Sequence, residues 1–185
     1  MIDARQGNNS GPMKNNLRGG SLLALAVVTT SASLGQTLSI EAESGVISAP
    51  FTVTNGYVYQ PLQTGVTNGG RAVYDFTITK AGRYAIMATV SAPDASSNSF
   101  FVKIDGEPQD PASVWEFPAK TGFTEQMVSF RGTPTPASQA HTLGEGPHQL
   151  IIRGRGANAQ LDRLAIVKLP ELPAPPAKLR IVTGP

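Results

Sequence analysis

The sequence predicts an all-β protein, an antiparallel β-sandwich, and three observations carry that prediction. Apolar residues repeatedly recur with period two between Thr37 and Lys168. Short turn signals separate the runs. Charged residues are only 15% of the 185-residue chain, while glycine and proline number 19 and 15, a composition suited to many short strands.

The runs can be followed in order. Across residues 71–79, Ala72, Tyr74, Phe76 and Ile78 share one face, and Arg71, Asp75, Thr77 and Thr79 share the other. Ala81-Gly82 turns the chain, and Tyr84, Ile86, Ala88 and Val90 repeat the pattern. Phe100, Val102 and Ile104 follow, then Val128 and Phe130, Leu150 and Ile152, and Leu164 and Ile166. Period two with one apolar face marks half-buried antiparallel strands. Asn68-Gly69-Gly70, Pro93-Asp94, Asp105-Gly106, Gly144-Glu145-Gly146-Pro147 and Gly154–Gly156 punctuate them. Eight or nine strands result, with no helix, and two sheets packed over a shared core fit a one-faced pattern.

The ends read differently. Lys14 and Arg18 precede an apolar run, Leu22–Val28, and small residues follow through Ser33, Leu34 and Gly35. That is the order of a signal peptide with cleavage near Gly35, so residues 1–35 are expected to be a leader and the protein to be secreted, extracellular or at the cell surface. The run is too short to span a bilayer, which takes roughly 20 residues. Residues 36–169 form the expected domain. Residues 170–185 open with prolines at 170, 173, 175 and 176, an extended linker, after which Leu179-Arg180-Ile181-Val182 can begin a further domain.

Composition excludes several functions. No cysteine is present, so disulfides, thiol chemistry and cysteine-based zinc sites are absent. A formal charge of +2 without a basic stripe gives nucleic acid no footprint. His141 and His148 lack zinc-ligand spacing. Gly154-Arg155-Gly156 precedes a strand and is no phosphate loop.

Two constellations remain. In Ile40-Glu41-Ala42-Glu43, a strand would place both carboxylates on one face, roughly 7 Å apart. Asp162 shares the parity of Leu164 and Ile166 and points toward the core rim, where a carboxylate needs a partner. A calcium ion would satisfy three such acids; so would solvent around the glutamates, with Asp162 on a backbone amide or on Arg163. A glycosidase pair is the less suitable reading, because acids on the first and last strands staple a sandwich rather than flank a cleft. The second constellation is aromatic. Trp115, the single tryptophan, lies in a proline-bounded segment, and Tyr57, Tyr59 and Phe117 lie in loop-like or edge stretches. Exposed rings stack on the C–H faces of sugars, whereas a lone tryptophan is as often core.

These pieces, taken in order, resemble the carbohydrate-binding modules of families 6 and 35. The matching segments are Ile40-Glu41-Ala42-Glu43, residues 70–76 with Ala81-Gly82-Arg83-Tyr84, residues 98–106, residues 146–152 and Leu161-Asp162-Arg163-Leu164. The resemblance covers about residues 37–168. It implies a galactose-binding-domain-like jelly roll and a structural calcium on Glu41, Glu43 and Asp162. It also implies a non-catalytic glycan-binding function, with a polysaccharide or oligosaccharide ligand held by Tyr57 or Tyr59, Trp115 and Asn158, in a monomeric module. Two features depart from the pattern. Asn158 stands four residues before Asp162 instead of against it, and residues 133–140 lengthen a neighbouring loop. They keep a second reading open, a structural or adhesive spacer with the same fold and no sugar site.

Overall fold

The computed structural model describes residues 37–131 and 139–171. The predicted leader and most of the proline-rich linker lie outside them.

Among the described residues twelve strands run in this order: β1 Thr37–Glu41, β2 Val46–Ser48, β3 Thr52–Thr54, β4 Tyr57–Tyr59, β5 Arg71–Ile78, β6 Gly82–Ala92, β7 Ser99–Ile104, β8 Val114–Glu116, β9 Lys120–Met127, β10 His141–Leu143, β11 Gly146–Gly154 and β12 Gln160–Lys168. A short 3-10 turn, Ala42–Ser44, follows β1. All pairings are antiparallel. The smaller sheet has the order β2-β5-β11-β7-β8. The larger is built on β3-β4-β12-β6-β10, with β1 beside β12 and β9 beside β6. The fold is the antiparallel β-sandwich that the alternation predicts.

The alternation also predicts the core. Tyr74, Phe76, Ile78, Tyr84, Ile86, Ala88, Val90, Phe100, Val102, Leu150, Ile152, Leu164 and Ile166 all lie in one buried cluster between the sheets. Burial of such side chains stabilises a domain by roughly 1.5–3 kcal/mol each, before conformational entropy is counted. Two buried polar groups are satisfied at the core edge. The Tyr74 hydroxyl donates to the Ala42 carbonyl at 2.9 Å. Gln60, fully buried, accepts from the Gly70 N–H at 3.0 Å and donates to Leu62 O and Thr64 Oγ1 at 2.7 and 2.8 Å. It lies so close to Gly154 that any Cβ there would fall 1.8 Å from its Oε1.

Two local features overturn the predicted arrangement of the acids. The first strand ends at Glu41, and the chain turns into the 3-10 segment, so Glu41 and Glu43 do not share a strand face. The register of β12 against β6 shifts between Leu161 and Arg163. Asp162 is the extra residue of that bulge, and Leu161 and Leu164 both face the core. A bulge resets the inside–outside alternation. Asp162 therefore does not share the parity of Leu164.

Candidate functional site

The outward residues of the larger sheet follow from its register. Val58, Leu161 and Val90 belong to the core, so their neighbours Tyr59, Gln160 and Ser91, paired across β4, β12 and β6, form an outward row. Pro93, Thr121, Gly122 and Asn158 complete a cleft of about 460 Å³ at the end of that row. Its lining side chains are hydroxyls, amides and a proline, with no ionisable group among the described residues.

Three rings border the cleft. Tyr57 packs against Tyr59 with centroids 5.8 Å apart and against Phe123 at 5.6 Å. The tyrosines are partly exposed and Phe123 is 42% exposed. Local sequence explains each position. Asn55-Gly56 joins β3 to β4 with φ of 47° and 82°, the two left-handed residues that a two-residue hairpin turn requires. The Asn-Gly pair thus delivers Tyr57 and Tyr59 directly after a tight turn. On β9, the register against β6 shifts opposite Ser91, and Gly122 has φ of 89°. A bulge re-aims the side chain beside it, here Phe123. Asn158 closes the turn before β12 at φ 60°, and its N–H donates to Gln60 O at 2.7 Å. Asparagine tolerates that conformation because its short polar side chain bonds locally.

Half-exposed rings beside hydroxyl and amide groups suit a polyhydroxylated ligand that also has an apolar C–H face. No two carboxylates line the cleft, so the arrangement offers no acid pair for glycoside hydrolysis.

The sequence-predicted residues divide sharply. Asn158 lines the cleft, and Tyr59, paired with the lining residue Gln160, stands beside it with Tyr57 packed against its ring. Trp115 does not join them. It is fully buried, with centroids 4.9 Å from Phe117 and 6.1 Å from Phe100, so it supports the core and presents no face to a ligand. Phe123, Gln160, Ser91 and Thr121 were not singled out by the sequence.

Nor do the predicted metal ligands assemble. Among the described residues no group of three His, Cys, Asp or Glu side chains can hold a metal ion. Arg163 Nε donates to Glu41 Oε1 at 3.1 Å, which gives that carboxylate a counter-charge of its own. The three acids therefore do not form a cluster among the described residues, and the strand parity that would have gathered them is absent.

A second depression, about 420 Å³, lies on the smaller sheet around Asp75, Asp105 and His148. Here the polar groups serve one another. His148 Nδ1 lies 2.6 Å from Asp105 Oδ2, and its Nε2 lies 3.0 Å from Gly144 O. The Gln149 N–H donates to Asp105 Oδ1 at 2.9 Å, and Gln149 Nε2 donates to Asp75 Oδ1 at 2.8 Å.

No family model and no curated protein matches the chain. Solved structures do. A family 35 carbohydrate-binding module from Clostridium thermocellum is 14% identical, with a TM-score of 0.54, over 72% of this chain and 99% of that one. A family 36 module of a multidomain xylanase from the hindgut metagenome of Trinervitermes trinervoides is 12% identical, with a TM-score of 0.54, over 74% and 100%. A Podospora anserina β-(1,4)-mannanase with a family 35 module is 17% identical, with a TM-score of 0.53, over 77% of this chain and 29% of that one. At these identities the likeness is one of fold. The described chain shares the sandwich of family 35 and family 36 carbohydrate-binding modules.

Proposed function

We propose that this protein is a non-catalytic glycan-binding module and that its ligand lies on the Tyr57–Tyr59–Phe123 cluster, with its hydroxyls in the adjoining cleft. One observation carries the reading: three partly exposed rings converge beside an uncharged cleft of hydroxyls and amides. The fold shared with carbohydrate-binding modules supports it. The leader-like order of residues 1–35 supports work outside the cell, as one module of a secreted or surface protein.

Affinity electrophoresis of the full chain in gels containing β-1,4-mannan, xylan or β-1,3-galactan tests it. At least one polysaccharide is expected to retard the protein. Phe123→Ala and Tyr59→Ala should each weaken that retention by about tenfold or more, the usual consequence of removing an aromatic anchor, while the melting temperature stays near that of the parent. No retention on any glycan would leave the spacer reading in its place, and retention that both variants preserve would move the sugar site away from the aromatic cluster.

A further inference from the structure

The outward face of the larger sheet continues past the aromatic cluster. Beside the row Tyr59–Gln160–Ser91 runs a second row, Glu41–Arg163–Thr89–Glu125, followed by Ser39–Ala165–Met87–Met127. Along β6 the outward residues Ser91, Thr89 and Met87 step by roughly 7 Å each. A second, shallower depression of about 150 Å³ lies between the latter two rows, lined on its outward side by Met87, Thr89, Glu125, Arg163 and Ala165. By register, Tyr57 and Phe123 stand between the two hollows.

The chemistry of the second hollow complements that of the first. Arg163 offers a planar fork of N–H donors, only its Nε being directed at Glu41. Thr89 offers a hydroxyl and Glu125 a carboxylate acceptor. Together they match adjacent hydroxyls, which donate and accept side by side, while Met87 and Ala165 supply apolar contact. Glu41 and Glu125 flank the hollow, and the first cleft has no cation. With two carboxylates against the one Arg163 guanidinium, the second hollow is net negative and disfavours an acidic sugar.

We propose that this hollow is a second subsite on the same face, and that the face reads the interior of a neutral glycan chain, which crosses the Tyr57–Phe123 pair with sugar units in both hollows. The inference rests on the glycan-binding reading above and extends it from a site to a track.

Calorimetric titration of the full chain with mono-, di- and hexasaccharides of the β-1,4-mannose, β-1,4-xylose and β-1,3-galactose series separates the two claims. The hexasaccharide of the recognised series should bind about tenfold or more tighter than the disaccharide, the effect of one further well-made set of charge-assisted bonds. Arg163→Ala and Glu125→Ala should erase that gain and leave the disaccharide untouched, whereas Phe123→Ala weakens both. Thr89→Val provides an uncharged check, since it alters no ion pair. Oligogalacturonate should not bind. A disaccharide as tight as the hexasaccharide, or a length dependence that survives all three substitutions, overturns the second subsite while the glycan-binding reading stands. Tight binding of oligogalacturonate overturns the preference for neutral chains. Failure of every oligosaccharide overturns both readings.

Discussion

The two outer faces of the sandwich are built from the same alternation and have opposite chemistry. On the smaller sheet, Arg71 and Arg153 sit directly opposite one another on β5 and β11, and Glu107 accepts from both, at 2.8 and 2.9 Å. Glu116 pairs with Arg131 and lies 3.7 Å from Arg155, which in turn donates to Ser99 Oγ at 2.7 Å. At the end of the sheet His148, on the core side by register, pairs with Asp105 at 2.6 Å. On the larger sheet the corresponding positions carry rings, hydroxyls and amides around an open cleft. Charges that have already found partners offer little to a neutral ligand, and breaking them to bind one would leave a charge uncompensated. Rings and amides, by contrast, carry no such obligation. A ligand therefore fits first at the aromatic end of the larger sheet, where the cleft's polar groups are uncharged; beyond that end the Glu41–Arg163 pair engages only Arg163 Nε.

The largest test of this contrast concerns a residue on neither face. Trp115 lies in the core, its ring tilted against those of Phe100 and Phe117. Trp115→Ala should cost about 3–5 kcal/mol of stability, the range for emptying a large aromatic site, as measured by urea or thermal unfolding. Glycan affinity of the fraction that remains folded should be unchanged. Lost affinity at unchanged stability would put the indole on the surface and dissolve the distinction between core and face.

How much of this was legible in the sequence depends on burial. Strands β5, β6, β7, β11 and β12 announced themselves because each turns an apolar row inward. Strand β9 did not. Its residues, Lys-Thr-Gly-Phe-Thr-Glu-Gln-Met, are exposed or half-exposed at the side of the sheet, so no apolar row marks it and Phe123 passed unnoticed. Tyr57 and Tyr59 show in the sequence only as aromatics in a loop-like stretch, and Asn158 only through the resemblance; the Asn55-Gly56 pair is the signal that could have fixed Tyr57 at the start of a strand. Trp115 could not be decided from its neighbours, since Val114 and Trp115 are both buried and no alternation shows on so short a strand. The acids failed for a different reason. Parity arguments assume unbroken strands, and both segments break: β1 into a 3-10 turn, and β12 at a bulge.

A smaller effect sharpens the contrast on the self-paired face. Both ring nitrogens of His148 face acceptors, and the ring stacks on Phe76 at 5.6 Å. The bond to Asp105, helped by the Gly144 carbonyl, holds the imidazole above its ordinary range. Burial alone would raise the Asp105 carboxyl, but the Gln149 N–H and His148 outweigh it and hold the group below the usual carboxylate range. Asp75, reached through Gln149, is the other acid beside this cluster. The signs then follow. The contribution of His148 is complete below its unfolded value near about pH 6.5 and is lost as pH rises through its higher folded value. The contribution of Asp105 is complete above about pH 4 and is lost as pH falls through its lower folded value. The pair should therefore stabilise most between those limits. The loss from about pH 5 to about pH 8.5 should be under about 1 kcal/mol, because Asp105 is half-exposed. Melting curves across that range should show it, and His148→Gln should flatten it. Glycan affinity over the same range should not follow, because His148 lies on the other sheet.

The smallest expected effect is none at all. A metal that binds only the folded state raises stability by mass action, by roughly 4 kcal/mol at a thousandfold excess over its dissociation constant. Removing it from a resident site would therefore lower the melting temperature plainly. In this chain Glu41 is engaged by Arg163, Glu43 stands beyond the strand end in the 3-10 turn, and Asp162 is the unpaired residue of a bulge. Melting curves in calcium and in chelator should superimpose, and Glu43→Ala should behave as a surface substitution in both. A clear drop on chelation that Glu43→Ala abolishes would mean that a cation displaces Arg163 from Glu41 and draws the acids together. The Glu41–Arg163 pair beside Thr89 and Glu125 would then give way to a metal centre, and the second hollow would lose the arrangement on which its subsite rests.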